Sequence, residues 1–184
     1  MIFYDIKLSL RPYFQGVKAM PLLNILIFPD PNLKKIAEPV QQINENIKQI
    51  VKDMLKTMYH AEGIGLAATQ VNIHKRIVVI DISENRKAPL CIINPVIIKQ
   101  SGNISWQEGC LSFPDLYTKV KRFETISIEY QDLDNNKQVI AADGLLSICL
   151  QHEIDHLDGI TFYDRISPLR QSLLKKKIKN FGKK

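Results

Sequence analysis

Gln151-His152-Glu153-Ile154-Asp155-His156-Leu157-Asp158-Gly159 decides how this chain is read. Two histidines stand four apart, with a glutamate directly after the first. On an α-helix that spacing puts both imidazoles on one face, about one turn apart. Two ring nitrogens can then reach one metal ion, with Glu153 close enough to accept a proton from a water that the ion activates. Leu145, Ile148, Cys149, His152 and His156 recur at spacings of three and four, which predicts a helix with one continuous face. Gly159 is placed to end it. His-Glu-x-x-His also arises by chance on buried helices. With four His and eight Glu in 184 residues, chance produces it in about one chain in a few hundred. A third protein ligand is still required. Zinc enzymes that extend the motif place a histidine six residues after the second. Phe162 occupies that position, so the third ligand comes from elsewhere.

Outward from this helix the pattern changes. Thr125–Tyr130, Thr118–Arg122, Cys91–Ile98 and Arg76–Ile82 are rich in β-branched residues and read as strands. Asn94-Pro95 interrupts one of them, which predicts an edge or a bulge. Asp134-Asn135-Asn136-Lys137 reads as a turn into Gln138–Ala141, hence a hairpin. Ile43, Ile47, Ile50, Val51, Met54, Leu55 and Met58 form a second helical face, a core stripe that ends near His60. Gly63–Gln70 combines two glycines and two alanines, a backbone that a ligand can approach closely. It lacks the Lys-Ser/Thr pair of a phosphate loop. Residues 21–40 carry four prolines and read as extended chain with turns. Ser167-Pro168 opens a last helix. Helix, strands, then the motif helix predicts an α+β fold: mainly antiparallel sheets packed around a central metal-binding helix, with a C-terminal helix.

The chain carries a net charge of +6, but its distribution is uneven. Residues 168–184 hold seven Lys and Arg and no acid; the remainder has 18 basic and 19 acidic residues. The basic character is a local partner signal in one terminal element, which argues against DNA as a partner. No apolar run reaches the length of a membrane span. Three cysteines, at 91, 110 and 149, suit a reducing compartment better than a disulfide framework. We divide the chain into an N-terminal extension, 1–20, and a single catalytic domain, 21–184, that includes the basic helix 168–184. The extension has three readings: a targeting segment, an added structural arm, or a start assigned upstream of a functional Met20.

The residues alone leave five candidates for the third ligand: Cys110, Cys91, Cys149, His60 and His74. Cys91 and Cys149 lie on apolar faces and read as packing. His60 and His74 have no local signature. Cys110 follows a glycine at the end of a strand-like stretch. A resemblance narrows the choice. Gly63–Gln70, Glu108-Gly109-Cys110-Leu111-Ser112 and His152–His156 stand in the order and form of the three motifs of the peptide deformylases. The resemblance covers roughly residues 24 to 170.

By position, the resemblance implies metal ligands Cys110, His152 and His156, with Glu153 as the general base. Two imidazoles and a thiolate leave a fourth position open, as catalytic sites do. The family works with Fe(2+), and Zn(2+), Ni(2+) or Co(2+) suit the same donors. The implied reaction is hydrolysis of the formyl group from N-formylmethionyl nascent peptides, releasing formate. Gln70 and the backbone N–H of Leu111 would donate to the oxyanion. Gly65 would lie beside the formyl group, and Ile64, Leu145, Ile148 and Cys149 would form the methionine pocket. The peptide would run extended past Ile64 and Gly109. Glu108 and Asp155 would support the ligands, although Asp155 also reads as a solvated helix acid. The basic C-terminal helix resembles one built to dock on the ribosome, in a bacterial cytoplasm or, alternatively, an organelle. Two rivals stand beside this reading. Another zinc-type metallopeptidase would need a downstream Glu or His ligand. An inactive ribosome-docking relative would have lost Glu153, Gln70 or Cys110, and none is lost.

Overall fold

A computed structural model of the chain describes residues 22–181, with side chains as far as Ile178. The extension 1–20 lies outside the described residues. Helix α1 spans Glu45–His60, α2 spans Gly144–Leu157 and α3 spans Pro168–Phe181. Strands β1 (Gly65–Ala67), β2 (Ile77–Ile80), β3 (Leu90–Ser101), β6 (Thr125–Gln131) and β7 (Lys137–Asp143) form a five-stranded sheet in the order β1-β2-β3-β6-β7. Strands β4 (Ile104–Cys110) and β5 (Phe113–Arg122) form a separate two-stranded ribbon. All these strand pairings are antiparallel, so the architecture is the expected α+β.

The sheet is covered on both faces, and strand alternation sorts its side chains. Val78, Ile80, Ile92, Ile126 and Ile128 pack with Cys149, Leu150, Ile154 and Leu157 of α2. Leu66, Ile77, Val79 and Ile93 pack with Ile47, Val51, Met54 and Met58 of α1. Strand β2 is therefore buried along its whole length, which is why it reads as a continuous apolar run. Asn44 caps α1 by accepting from the N–H of Ile47. The break at Asn94-Pro95 is a bulge: the β3–β6 register shifts between Ile93 and Val96. Asn94 compensates for it by donating to Val40 O at 2.9 Å and Gln131 Oε1 at 2.7 Å.

A third apolar cluster joins the ribbon to the C-terminal part: Phe113, Leu116 and Val120 pack with Phe162, Ile166 and Leu174. The extended segment 22–40 then ties the motif-bearing segments together. Leu26 N–H donates to Gln70 O (2.7 Å), Phe28 N–H to Ser112 O (2.9 Å) and Ala37 N–H to Leu157 O (2.7 Å). Among the described residues, no helix is long and apolar enough to cross a membrane.

Candidate metal centre and cleft

Helix α2 presents His152 and His156 one turn apart, with ring centroids separated by 5.0 Å. Both are buried, at 7% and 0% exposure. Cys110, the last residue of β4, brings its Sγ to 3.2 Å from His156 Nε2. One ligand atom from each of the three residues falls within 4.8 Å of the other two. Among the described residues this is the one His/Cys/Asp/Glu group so arranged. Of the other candidates, Cys91 packs against the core beside α1, His60 ends α1, and His74 meets Asn72 Oδ1 at 3.2 Å. Cys149 faces the apolar interior of the sheet, and burial pushes its thiol well above the usual range.

The chemistry of this donor set fits a divalent cation. A half-buried thiol and two buried imidazoles converge. Beside them Glu153 is buried at 4% exposure, and its Oε2 has no hydrogen-bond partner. Buried polar atoms left without partners are uncommon and point to a group that completes them. Burial, with the charge of Glu108 adding to it, raises the Glu153 carboxyl to about 7, against the opposing pull of His152. That range suits proton transfer near neutrality.

His152 is oriented from behind. Its Nδ1 meets Glu108 Oε2 at 2.8 Å. Glu108 receives the Arg122 guanidinium twice, Nε at 2.7 Å and Nη2 at 3.0 Å. Burial alone would push the Glu108 carboxyl up; Arg122 and His152 outweigh it and hold it at about 2. Arg122 Nη1 also donates to Asp155 Oδ2 at 2.5 Å. Asp155 is only 5% exposed and is no solvated acid. The sequence reading did not single out Arg122. One arginine closing an otherwise alternating β-strand was the available signal, and its partners lie 14 and 33 residues away.

Gln70 is pinned by its own turn. Its Oε1 accepts from the Ala67 N–H at 2.8 Å, which sets the amide so that Nε2 faces Ser112 Oγ at 3.2 Å and Cys110 Sγ at 3.5 Å. Ser112, fully buried, is a second residue that the sequence reading quoted only as part of a motif. The segment Gly63–Gln70, read from the sequence only as a backbone open to close approach, has regular structure. Gly65–Ala67 pairs with β2, Gly65 opposite Ile80, and Ala68–Val71 is a 3-10 turn. Only glycine fits at 65: an added Cβ would sit 2.5 Å from Glu153 Oε1 and 2.8 Å from Cys149 Sγ. At Gly109 a Cβ would meet the Tyr117 ring at 2.6 Å.

A cleft of about 690 Å³ opens over the centre. Its lining includes Ile64, Gly65, Gln70, Gly109, Cys110, Leu111, Leu145, Ile148, Cys149, His152 and Glu153. Every residue singled out from the sequence for catalysis or substrate therefore borders one space, with His156 directly behind it. Ile64 and Leu145 are exposed at the rim, and Ile148 and Cys149 are buried in the wall.

The polypeptide deformylase family model matches residues 22–172. Peptide deformylase of Neisseria gonorrhoeae is 49% identical over 160 residues, covering 87% of this chain and 96% of that protein. The enzyme of Pseudoalteromonas translucida is 50% identical over 164 residues, covering 89% and 98%. Among solved structures, a peptide deformylase from Legionella pneumophila superimposes with a TM-score of 0.85 at 40% identity, covering 89% of this chain and 96% of that one. With the family model spanning the three motif segments and the relatives matching over nearly their whole length, this chain belongs to the peptide deformylase family.

Proposed function

We propose that this deformylase removes the formyl group from N-formylmethionyl nascent peptides with an ion held by Cys110 Sγ and the imidazoles of His152 and His156. The observation that carries this reading is the partnerless Glu153 Oε2, buried beside those three donors at the floor of the cleft. An ion in that donor set supplies Lewis-acid polarisation and lowers the pKa of a nearby water. Ferrous iron is the metal we assign; zinc, nickel or cobalt suit the same ligands.

The chain's own residues do the rest. Glu153 takes the proton of the attacking water and returns it to the peptide nitrogen as the formamide C–N bond breaks, leaving formate and a free amino terminus. Gln70 Nε2 and the Leu111 N–H donate to the formyl oxygen as charge builds on it. Ser112 holds the Gln70 amide in place. Ile64, Leu145, Ile148 and Cys149 surround the methionine side chain, and the backbone at Ile64 and Gly109 guides the extended peptide. Glycine at 65 leaves room for the formyl group beside Glu153.

The cleft is lined by residues from Ile25 to Glu153, and Leu174 packs with Phe113 of the ribbon, which supports reading 21–184 as one catalytic domain. Helix α3 is the part we assign to the ribosome, in the bacterial cytoplasm. Leu174 is buried, while Leu169 and Leu173 are 73% and 54% exposed and Lys175, Lys176 and Lys177 are exposed next to them. Release of formate from formyl-Met-Ala-Ser by anaerobically purified protein, with metal analysis of the same sample, tests the assignment. Stoichiometric metal without formate release would refute it.

A further inference from the structure

An array of alternating charge runs from the ligand His152 to the protein surface. Glu108 accepts from His152 and Arg122; Arg122 reaches Asp155; Asp155 is met in turn by Arg165. Arg165 Nε donates to Asp155 Oδ2 at 2.9 Å, and its Nη2 donates to Oδ1, a two-point fork. The side chains of Arg122, Glu108 and Asp155 are 3%, 4% and 7% exposed, whereas that of Arg165 is 45% exposed. Arg165 is thus the end of the array that water reaches. It stands in a built turn ahead of α3: Thr161 N–H and Oγ1 both donate to Asp164 Oδ2 at 2.7 Å, and the Arg165 N–H donates to Phe162 O at 3.2 Å.

The charges explain why a fourth group is needed. Without Arg165, one guanidinium would face two buried carboxylates, Glu108 and Asp155. A buried carboxylate short of a partner is costly. Asp155 already holds Arg122 at 2.5 Å and would draw it further from Glu108. Glu108 is the acceptor that orients His152. Partners that orient a ligand control metal affinity as well as activity.

We propose that Arg165 is a positioning residue for the metal centre: by satisfying Asp155, it leaves Arg122 on Glu108 and so keeps His152 aimed at the ion. This rests on Cys110, His152 and His156 being the ligands. Arg165 does not border the cleft, so its effect belongs in kcat and ion affinity, with KM unchanged. Its fork suits a carboxylate in a way that a lysine ammonium does not.

The test compares wild type, Arg165→Gln and Arg165→Lys, each stripped and reloaded with cobalt(II). Cobalt affinity is read by chelator competition, the site by its visible absorption, and folding by thermal melting of the metal-free proteins. Loss of a partner directly on a ligand costs about 10- to 100-fold in affinity. Arg165 is four contacts from the ligand His152, so Arg165→Gln is expected to lose about 3- to 10-fold in cobalt affinity and a similar factor in kcat. Its absorption band should shift, and Arg165→Lys should fall between the two. Wild-type affinity and spectrum in folded Arg165→Gln would overturn the proposal, even if its melting temperature dropped, because Arg165 would then only brace the turn. If Cys110→Ala kept the wild-type cobalt spectrum, the ligand set itself would fail, and the inference with it.

Discussion

Gly65→Ala gives a sharp test of the site, because the added methyl group has nowhere to go. Its Cβ would stand 2.5 Å from Glu153 Oε1 and 2.8 Å from Cys149 Sγ. Ordinary contact begins at 3.4 Å, so the carboxylate must retreat by about 0.9 Å. A misplacement of about 1 Å in a catalytic group costs on the order of 100-fold in rate. We therefore expect kcat to fall about 100-fold, about 2.7 kcal/mol of barrier. Metal content should be unchanged, since Cys110, His152 and His156 are not touched. The assay is formate release from a formyl tripeptide over a range of concentrations, with the metal in each sample measured. Adding Cys149→Ala relieves the second clash, in the pocket wall. It should restore KM where that has risen and leave kcat low, because the contact with Glu153 persists. A fully metallated Gly65→Ala enzyme with kcat within about threefold of wild type would refute the placement of Glu153 as the base.

Glu153→Gln should bind metal normally and lose about 10²- to 10⁴-fold in turnover, measured on samples matched for metal content. Arg122→Met leaves Glu108 and Asp155 buried without their shared partner; a cost of about 3–5 kcal/mol should lower the melting temperature by roughly 6–20 °C for a chain of this size. In air, the iron-loaded enzyme should lose activity faster than the nickel-loaded one, because Fe(II) oxidises beside the Cys110 thiolate; equal half-lives would contradict iron as the native metal. Changing Lys175, Lys176 and Lys177 to Glu should abolish low-salt co-sedimentation with ribosomes, since phosphate contacts dominate such binding. Turnover of a free tripeptide should be unaffected.

Local periodicity and β-branched runs were enough to find α1, α2 and strands β2, β3, β6 and β7, because burial of one face imposes spacings of 3.6 and 2 on the sequence. The spacing of His152 and His156, and Gly159 after them (φ +71°), likewise belong to a single helix and its end. What lay beyond the sequence was each relation between segments far apart. Its residues alone left five third-ligand candidates, and only the packing of β4 against α2 brings Cys110 Sγ within 3.2 Å of His156, across 46 residues. Gly65–Ala67 gave no strand signal because a three-residue edge strand has no period of its own; β2 supplies its hydrogen bonds. Asp155 could be a solvated acid on a helix wheel and is instead buried. The ribbon places Arg122 over it, and the turn after α2 brings Arg165 to it. Periodicity reports which face of an element is covered and is silent about what covers it. A site assembled from four segments is decided by tertiary packing.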